Sequence, residues 1–102
     1  MLMGLKSLFS PKERLYASFY GFGYEQSFVN YAQMKTAELG LLGWMNVVPN
    51  QSVEIEVEGP RIKLEKLLEL LRGAAPRARL YRMEMSWRPF TGKLQDFRVR
   101  NN

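Results

Sequence analysis

The chain has 102 residues, of which 46% are hydrophobic and 13% aromatic, so it can form one domain with a hydrophobic core. It contains no cysteine and no histidine. These absences exclude thiol nucleophiles, disulfides, Cys/His metal sites and histidine-based catalytic triads. The net charge of +5 favours an anionic partner such as nucleic acid, a lipid surface or a phosphate ligand.

The first residues and the hydropathy of the chain bear on its location. No run approaches the roughly 18 apolar residues of a membrane span. The apolar start MLMGLKSLF is too short for a secretory signal and lacks a small-residue cleavage site. A chain without cysteine also fits a reducing compartment. We therefore expect a cytoplasmic protein without a transmembrane segment, and we expect no cofactor and no metal.

Residues 1–12 are a predicted appendage to a domain that spans residues 13–102. The apolar residues that would share one side of a two-turn helix in this appendage are Leu2, Leu5, Leu8 and Phe9. Ser10–Pro11 would end that helix. Two turns are marginal in water on their own. The pattern fits either a loosely packed tail or a segment that docks on a partner or on a membrane surface.

Alternating hydrophobicity predicts the first strand over ERLYASFYG, residues 13–21. Its buried face carries Leu15, Ala17 and Phe19, and its other face carries Tyr16, Ser18 and Tyr20. Helical spacing then predicts a helix from about Glu25 to Leu39, with Gly40 as its C-cap.

Two further strands are predicted after this helix. GWMNVV forms the second strand, and Pro49–Asn50 forms a turn. SVEIEVEG forms the third strand, with Val53, Ile55 and Val57 facing the core and Glu54, Glu56 and Glu58 facing out. We expect these glutamates to pair across strands with Arg82, Arg98 or Arg100.

The second helix is predicted to start at Pro60, as its first residue, and to end at Gly73. Its buried stripe consists of Leu64, Leu67, Leu68 and Leu71. ARLYRMEMSW and QDFRVR then read as a fourth strand and a short fifth one. The order β-α-β-β-α-β with an extra C-terminal strand predicts a ferredoxin-like α+β sandwich, with two helices on one face of an antiparallel sheet.

The stretch LGLLGWMNVVPNQSVEIEVEGP is similar to the pattern L-G-L-x-G-W-V-x-N-x-x-D-G-S-V-E-x-x-x-E-G. That pattern is typical of the acylphosphatase family, which the chain resembles from about residue 13 to residue 100. LEKLLELLRGAAPRARLYRMEMSW continues the likeness through the second helix and the fourth strand. The resemblance implies the ferredoxin-like fold and an activity that hydrolyses carboxyl-phosphates.

The resemblance also implies a site with two parts. One is a phosphate loop, G-R-V-Q-G-V-G-F-R, whose backbone N–H groups and final arginine hold the phosphate. The other is an asparagine after G-W-V-x that positions the attacking water. The residues equivalent to the phosphate loop in this chain are Gly21, Phe22, Gly23, Tyr24, Glu25, Gln26, Ser27, Phe28 and Val29.

Both parts of the site depart from the family pattern. Val29 stands at the position of the final arginine, Phe22 at that of the other arginine, and Val47 at that of the asparagine. Glu25 and Ser27 each replace a glycine. Asn46 is adjacent to Val47, but strand alternation would point it to the wrong face.

These departures predict that catalysis has been lost and that the chain has no catalytic residues. Two like charges 4 Å apart repel by roughly 4 kcal/mol at an effective dielectric near 20, so Glu25 would oppose a bound phosphate. The loss of a preorganised donor removes about 3–4 kcal/mol of transition-state stabilisation. Glu25 is then more simply interpreted as favouring the positive end of the first helix.

Other residues of the motifs have structural interpretations. We assign Phe28, Trp44 and the leucine stripe of the second helix to the core. We assign Gly21 and Gly23 to a turn with positive φ rather than to a ligand.

Three functions are compatible with the sequence. The first is an acylphosphatase-like binding or structural module whose partner is a protein, contacted through sheet edges, through Phe22 and Tyr24, or through the appendage. The alternative is a weak acylphosphatase acting on a small acyl phosphate. The third is RNA binding through Tyr16 and Tyr20, which the glutamate row of the third strand disfavours because it would repel phosphates. Nucleic acid is therefore not the expected partner.

Overall fold

The computed structural model describes residues 10–21, 26–49 and 51–101, and residue 101 without its side chain. The elements run in chain order as strand β1 (Lys12–Gly21), helix α1 (Gln26–Glu38), strand β2 (Leu42–Val48), strand β3 (Ser52–Pro60), helix α2 (Arg61–Ala74), a 3-10 turn (Ala75–Ala78), strand β4 (Leu80–Arg88) and strand β5 (Phe97–Asn101). This order confirms the ferredoxin-like α+β fold with its additional C-terminal strand.

The strands form one sheet in the order β4-β1-β3-β2-β5. The pairings of β1 with β3, β1 with β4 and β2 with β3 are antiparallel, whereas β5 lies parallel to β2. Helix α2 packs over β1 and β3, and α1 packs beside α2 and β5. The edge strand β4 therefore lies outside the part of the sheet that α2 mainly covers.

The core lies between the helices and the inward faces of the central strands. Leu15 of β1 is paired with Val57 of β3, and Ala17 is paired with Ile55. The predicted stripe of α2 is confirmed, because Leu64, Leu67, Leu68 and Leu71 are all buried in this core. Burying one such side chain completely stabilises a fold by about 1.5–3 kcal/mol, so this stripe fixes α2 on the sheet.

The ends of α2 differ from the sequence prediction. Pro60 is the last residue of β3 and precedes the helix, which begins at Arg61. Gly73 lies inside the helix, whose backbone continues into the 3-10 turn and reaches a left-handed residue only at Arg79, with φ of 62°. Gly73 does not end the helix because the following residues continue the right-handed turn. The predicted C-cap of α1 is confirmed, since Gly40 follows the end of that helix with a left-handed φ of 67°.

Gly21 has a different role from the predicted one. It is the last residue of β1 and is not among the residues with positive φ. A Cβ atom at this position would lie 1.9 Å from the carbonyl oxygen of Arg79, so any other residue would collide with that backbone. Gly21 is therefore required for a close approach of two backbone segments. Gly23 lies outside the described residues.

The segment before β1 contacts the start of α2. The Ile62 N–H donates to Ser10 Oγ at 3.0 Å, and the Arg61 N–H donates to the Pro11 carbonyl oxygen at 2.8 Å. Helix starts leave such N–H groups without partners, and Pro60 supplies no side-chain cap. Ser10 and Pro11 thus cap a helix that begins about 50 residues later in the chain.

The rest of the predicted appendage has limited structural description. Strand β1 begins at Lys12, one residue before the predicted domain start. Leu2, Leu5, Leu8 and Phe9 lie outside the described residues. Neither helix of the described ranges has the length and apolarity that crossing a membrane requires.

The remote cap of α2 yields a stability prediction. Ser10→Ala removes the acceptor for the Ile62 N–H and is expected to lower the free energy of unfolding by about 1 kcal/mol. Ser10→Thr keeps a hydroxyl oxygen and is the matched control. Urea denaturation measures both differences. Equal stability of the alanine variant and the wild type would mean that water replaces the serine hydroxyl.

Candidate functional site

The segment equivalent to the phosphate loop runs from the end of β1 into the first turn of α1. Phe22, Gly23, Tyr24 and Glu25 lie outside the described residues. Gln26 and Ser27 are the first two residues of α1, and both are exposed. The Gln26 amide donates to Asn30 Oδ1 at 3.2 Å. Phe28 is in the core as predicted, edge-to-face with Phe19 at a centroid distance of 5.5 Å. The first turn of α1 is therefore anchored by apolar packing.

The two positions that the resemblance assigns to chemistry are apolar and buried. Val29 is 2% exposed and Val47 is 0% exposed. Val47 is paired with Val53 of β3, and all three side chains belong to the hydrophobic core. A valine side chain offers no hydrogen-bond donor, so neither side chain can hold a phosphate oxygen or a water.

Asn46 points away from the face of Val47, the position to which the resemblance assigns the asparagine. It alternates with Val47 along β2 and lies on the face of the sheet away from the helices, which we call the open face. There its Nδ2 donates to Glu54 Oε1 at 3.2 Å. The expectation from strand alternation is thus confirmed for this residue.

A groove of about 440 Å³ separates α1 from α2 next to the loop. Its polar lining comes from Ser27, Tyr31, Glu69 and Arg77. The charges of Arg77 and Glu69 offset each other, so this lining has no net positive charge that would attract a phosphate.

The glutamate row of β3 lies on the open face, but its partners differ from the predicted ones. Glu56 accepts hydrogen bonds from Arg14 Nε and, at 2.9 Å, from Arg88 Nη1. Arg14 Nη1 also donates to Glu58 Oε2 at 3.1 Å. The two glutamates are 5% and 3% exposed, so the arginines neutralise buried charges.

The predicted partners Arg82, Arg98 and Arg100 are wrong because of the strand order. Arg82 is paired with Tyr20, toward the end of β1 opposite to Arg14. Arg98 and Arg100 belong to β5, and β2 separates that strand from β3.

Arginines instead stack on the aromatic rings of the open face. The guanidinium carbons of Arg82, Arg88 and Arg100 lie 4.3, 4.5 and 4.7 Å from the ring centroids of Tyr20, Tyr16 and Trp44. Trp44 is only half-buried, so its assignment to the core is wrong. Alternation along β2 points Met45 and Val47 inward and Trp44 outward. In each pair the arginine comes from an edge strand, β4 or β5, and the ring comes from the strand beside it, β1 or β2.

Tyr16 and Glu54 are coupled at the centre of the open face. The Tyr16 hydroxyl donates to Glu54 Oε2 at 2.5 Å. Burial and the hydrogen bond to the glutamate raise the pKa of Tyr16 to about 12. Both effects disfavour a phenolate, so this hydroxyl is a fixed donor rather than a general base at neutral pH.

Glu58 joins the end of β3 to the segment after β4. Its carboxylate accepts hydrogen bonds from the Thr91 N–H and hydroxyl, both at 2.8 Å, and from the Gly92 N–H at 3.1 Å. Burial alone would raise the pKa of Glu58, but these hydrogen bonds together with the charge of Arg14 lower it below its ordinary value. No group of three acidic residues suited to a metal occurs in the ranges that the structure describes.

The acylphosphatase family profile matches residues 24–99. The chain belongs to the acylphosphatase family. It is 33% identical over 75 residues to an acylphosphatase of Dehalococcoides mccartyi strain CBDB1, across 72% of this chain and 82% of that protein. The family resemblance of the sequence is therefore confirmed.

Solved structures of other proteins have the same architecture. The acylphosphatase of Coxiella burnetii superposes with a TM-score of 0.75 at 25% identity, over 87% of this chain and 93% of that one. The BLUF protein BlrB, in its dark state, has a TM-score of 0.70 at 17% identity over 90% of this chain and 74% of that one. At that identity the likeness concerns the fold alone.

Sequence reasoning did not find the Arg14–Glu56–Arg88 cluster in this acylphosphatase-family chain. The spacing of two residues between Arg14 and Tyr16 on β1 was a usable signal, because it places the arginine on the same face as Tyr16, which is the face that holds the glutamates. The sequence alone could not predict that Arg14 and Arg88 are paired across β1 and β4, because this pairing depends on the register of two strands that are distant in sequence.

The hydrogen bonds of Glu58 generate a pH prediction. Because the folded state lowers the pKa of Glu58, this stabilisation is complete above the ordinary value of 4.5 and is lost as the pH falls below it. Glu58→Gln should therefore make stability less dependent on pH between about 5 and 3 than in the wild type. Urea denaturation at stepped pH measures this slope, with Glu69→Gln at an exposed site as the control. An unchanged slope in Glu58→Gln would contradict the assignment.

Proposed function

We propose that this chain is a non-catalytic member of the acylphosphatase family that serves as a binding module for a protein. The observation that carries the proposal is the burial of Val29 and Val47 at the two positions where the resemblance places an arginine and an asparagine. A buried valine at each position fills the core and offers the substrate no polar side chain.

The size of the loss supports this proposal. Removing one preorganised donor costs a factor of about 10² to 10³ in rate, and this chain lacks one at each of two positions. Phe22 also removes a cation that the family pattern has, and Glu25 adds an anion at a position where the pattern of the phosphate loop has a glycine. These changes act on the same bound dianion, so they oppose its binding together.

The open face supports a protein partner. It presents Tyr16, Tyr20 and Trp44 with arginines stacked on their rings. Tyr, Trp and Arg are the residues most enriched in the energetic centres of protein interfaces. The same stacking covers one side of each ring, which reduces the surface available to nucleobases.

Benzoyl phosphate hydrolysis tests the loss of catalysis. We expect negligible turnover by the wild type and a measurable gain only when Val29→Arg, Val47→Asn and Glu25→Gly are combined, because the rebuilt parts depend on each other. The gain is expected to be partial, since Val47→Asn buries an amide and lowers stability by about 1–3 kcal/mol. Thermal denaturation of each variant separates lost folding from lost chemistry.

A matched control replaces Val47→Asn by Val48→Asn in the combined variant. This is the same substitution one residue further along β2, where alternation directs the side chain to the open face. The combined variant with Val48→Asn should not restore benzoyl phosphate hydrolysis. Turnover by the unmodified protein at the level of its relatives would instead support the alternative, a working acylphosphatase.

The proposed binding surface makes a separate prediction. Tagged wild-type protein should retain a partner from a cell lysate, and the double variant Tyr20→Ala/Trp44→Ala should lose it, because two stacked rings are removed. Tyr31→Ala is the matched control, since Tyr31 lies under Lys35 on the helical side at 5.6 Å. Equal retention by all three proteins would exclude the open face as the binding surface.

A further inference from the structure

An apolar groove lies between α2 and the edge strand β4, on the helical side of the sheet. We name it the α2–β4 groove, and its lining residues are Arg61, Glu65, Leu68, Glu69, Arg72, Met85 and Trp87. Its volume is about 520 Å³. The groove exists because α2 packs mainly over β1 and β3, which leaves Met83, Met85 and Trp87 of β4 only half-buried.

The α2–β4 groove is closed at one end by a stacked pair. The guanidinium carbon of Arg61 lies 3.6 Å from the ring centroid of Trp87. From Arg61 to Arg72 the lining residues recur along one face of α2, over a length of about 16 Å at 1.5 Å per residue. The floor at Leu68, Met85 and Trp87 is apolar, and the rim is charged.

The chain enters this region at the same end of α2. The hydrogen bonds of Ser10 and Pro11 to the first two N–H groups of the helix place residue 10 beside Arg61. Ser10 therefore lies at the closed end of the α2–β4 groove. Nine residues span about 13.5 Å as a helix and at most about 30 Å when extended, so either conformation reaches along the groove.

The sequence of residues 1–9 matches the lining. Its apolar residues at helical spacing are Leu2, Leu5, Leu8 and Phe9, which suit the apolar floor. Its one charged side chain is Lys6, and Glu65 and Glu69 lie on the rim. We propose that residues 1–9 of this chain occupy its own α2–β4 groove and cover Met85 and Trp87.

The fluorescence of Trp87 tests this docking. Trp44→Phe leaves Trp87 as the one tryptophan of the chain, which has two. Adding Leu5→Asp and Leu8→Asp should shift its emission to the red and raise its acrylamide quenching constant about twofold, because the apolar cover is removed. Ser7→Asp adds the same charge off the apolar stripe and should leave both values unchanged.

Two outcomes of this experiment would overturn the proposal. Unchanged quenching in the double aspartate variant would mean that the segment does not cover Trp87. A difference that disappears on dilution would assign the α2–β4 groove to the segment of a second copy. Neither outcome affects the proposed loss of catalysis, which is measured by benzoyl phosphate turnover.

A double-mutant cycle gives an independent check on the same pair of surfaces. Leu8→Ala and Met85→Ala should be non-additive in the free energy of unfolding, because each removes a partner of the other. Ser7→Ala combined with Met85→Ala should be additive. Additivity in both cycles would contradict a contact between the segment and β4.

Discussion

The register between β1 and β3 is the constraint on which the rest of this structure depends. Leu15 opposite Val57 and Ala17 opposite Ile55 direct aliphatic side chains toward the helices, while Tyr16 and Glu56 point to the other face. A slip of one residue would move the charged set into the core, so burial specifies the register strongly. Once it is fixed, the leucine stripe of α2 has a surface to cover and the arginines reach the glutamates.

This arrangement buries charged side chains on the open face, which is electrostatically unfavourable unless they are paired. Glu56 and Glu58 are buried carboxylates, and such groups are tolerated only when charge partners and hydrogen bonds replace water. Arg14 serves both of them, and Thr91 and Gly92 complete the shell of Glu58. Because these partners come from β1 and from the segment after β4, the carboxylates join parts of the chain that are distant in sequence.

The candidate catalytic positions lie on the helical side of the sheet, away from the open face. Val29 and Val47 are both in the core, where an apolar side chain is favoured by packing and an arginine or an asparagine requires polar partners. An acylphosphatase site on this scaffold must therefore hold polar groups at the border of a hydrophobic core. In this chain the two positions contribute to packing, which is the physical basis of the proposed change from catalysis to binding.

The sequence by itself determined the fold class, the strand alternation, the leucine stripe of α2 and the absence of an arginine and an asparagine at Val29 and Val47. These follow from local periodicity and from residue identity, which need no knowledge of distant neighbours. Only the tertiary structure decided that Trp44 faces outward, that Gly73 lies within α2, that Gly21 is needed beside Arg79, and that Arg14 and Arg88 pair with Glu56. The partner choice depends on strand order and register, and the end of α2 depends on the 3-10 turn that follows it, so these features arise only when distant segments are brought together.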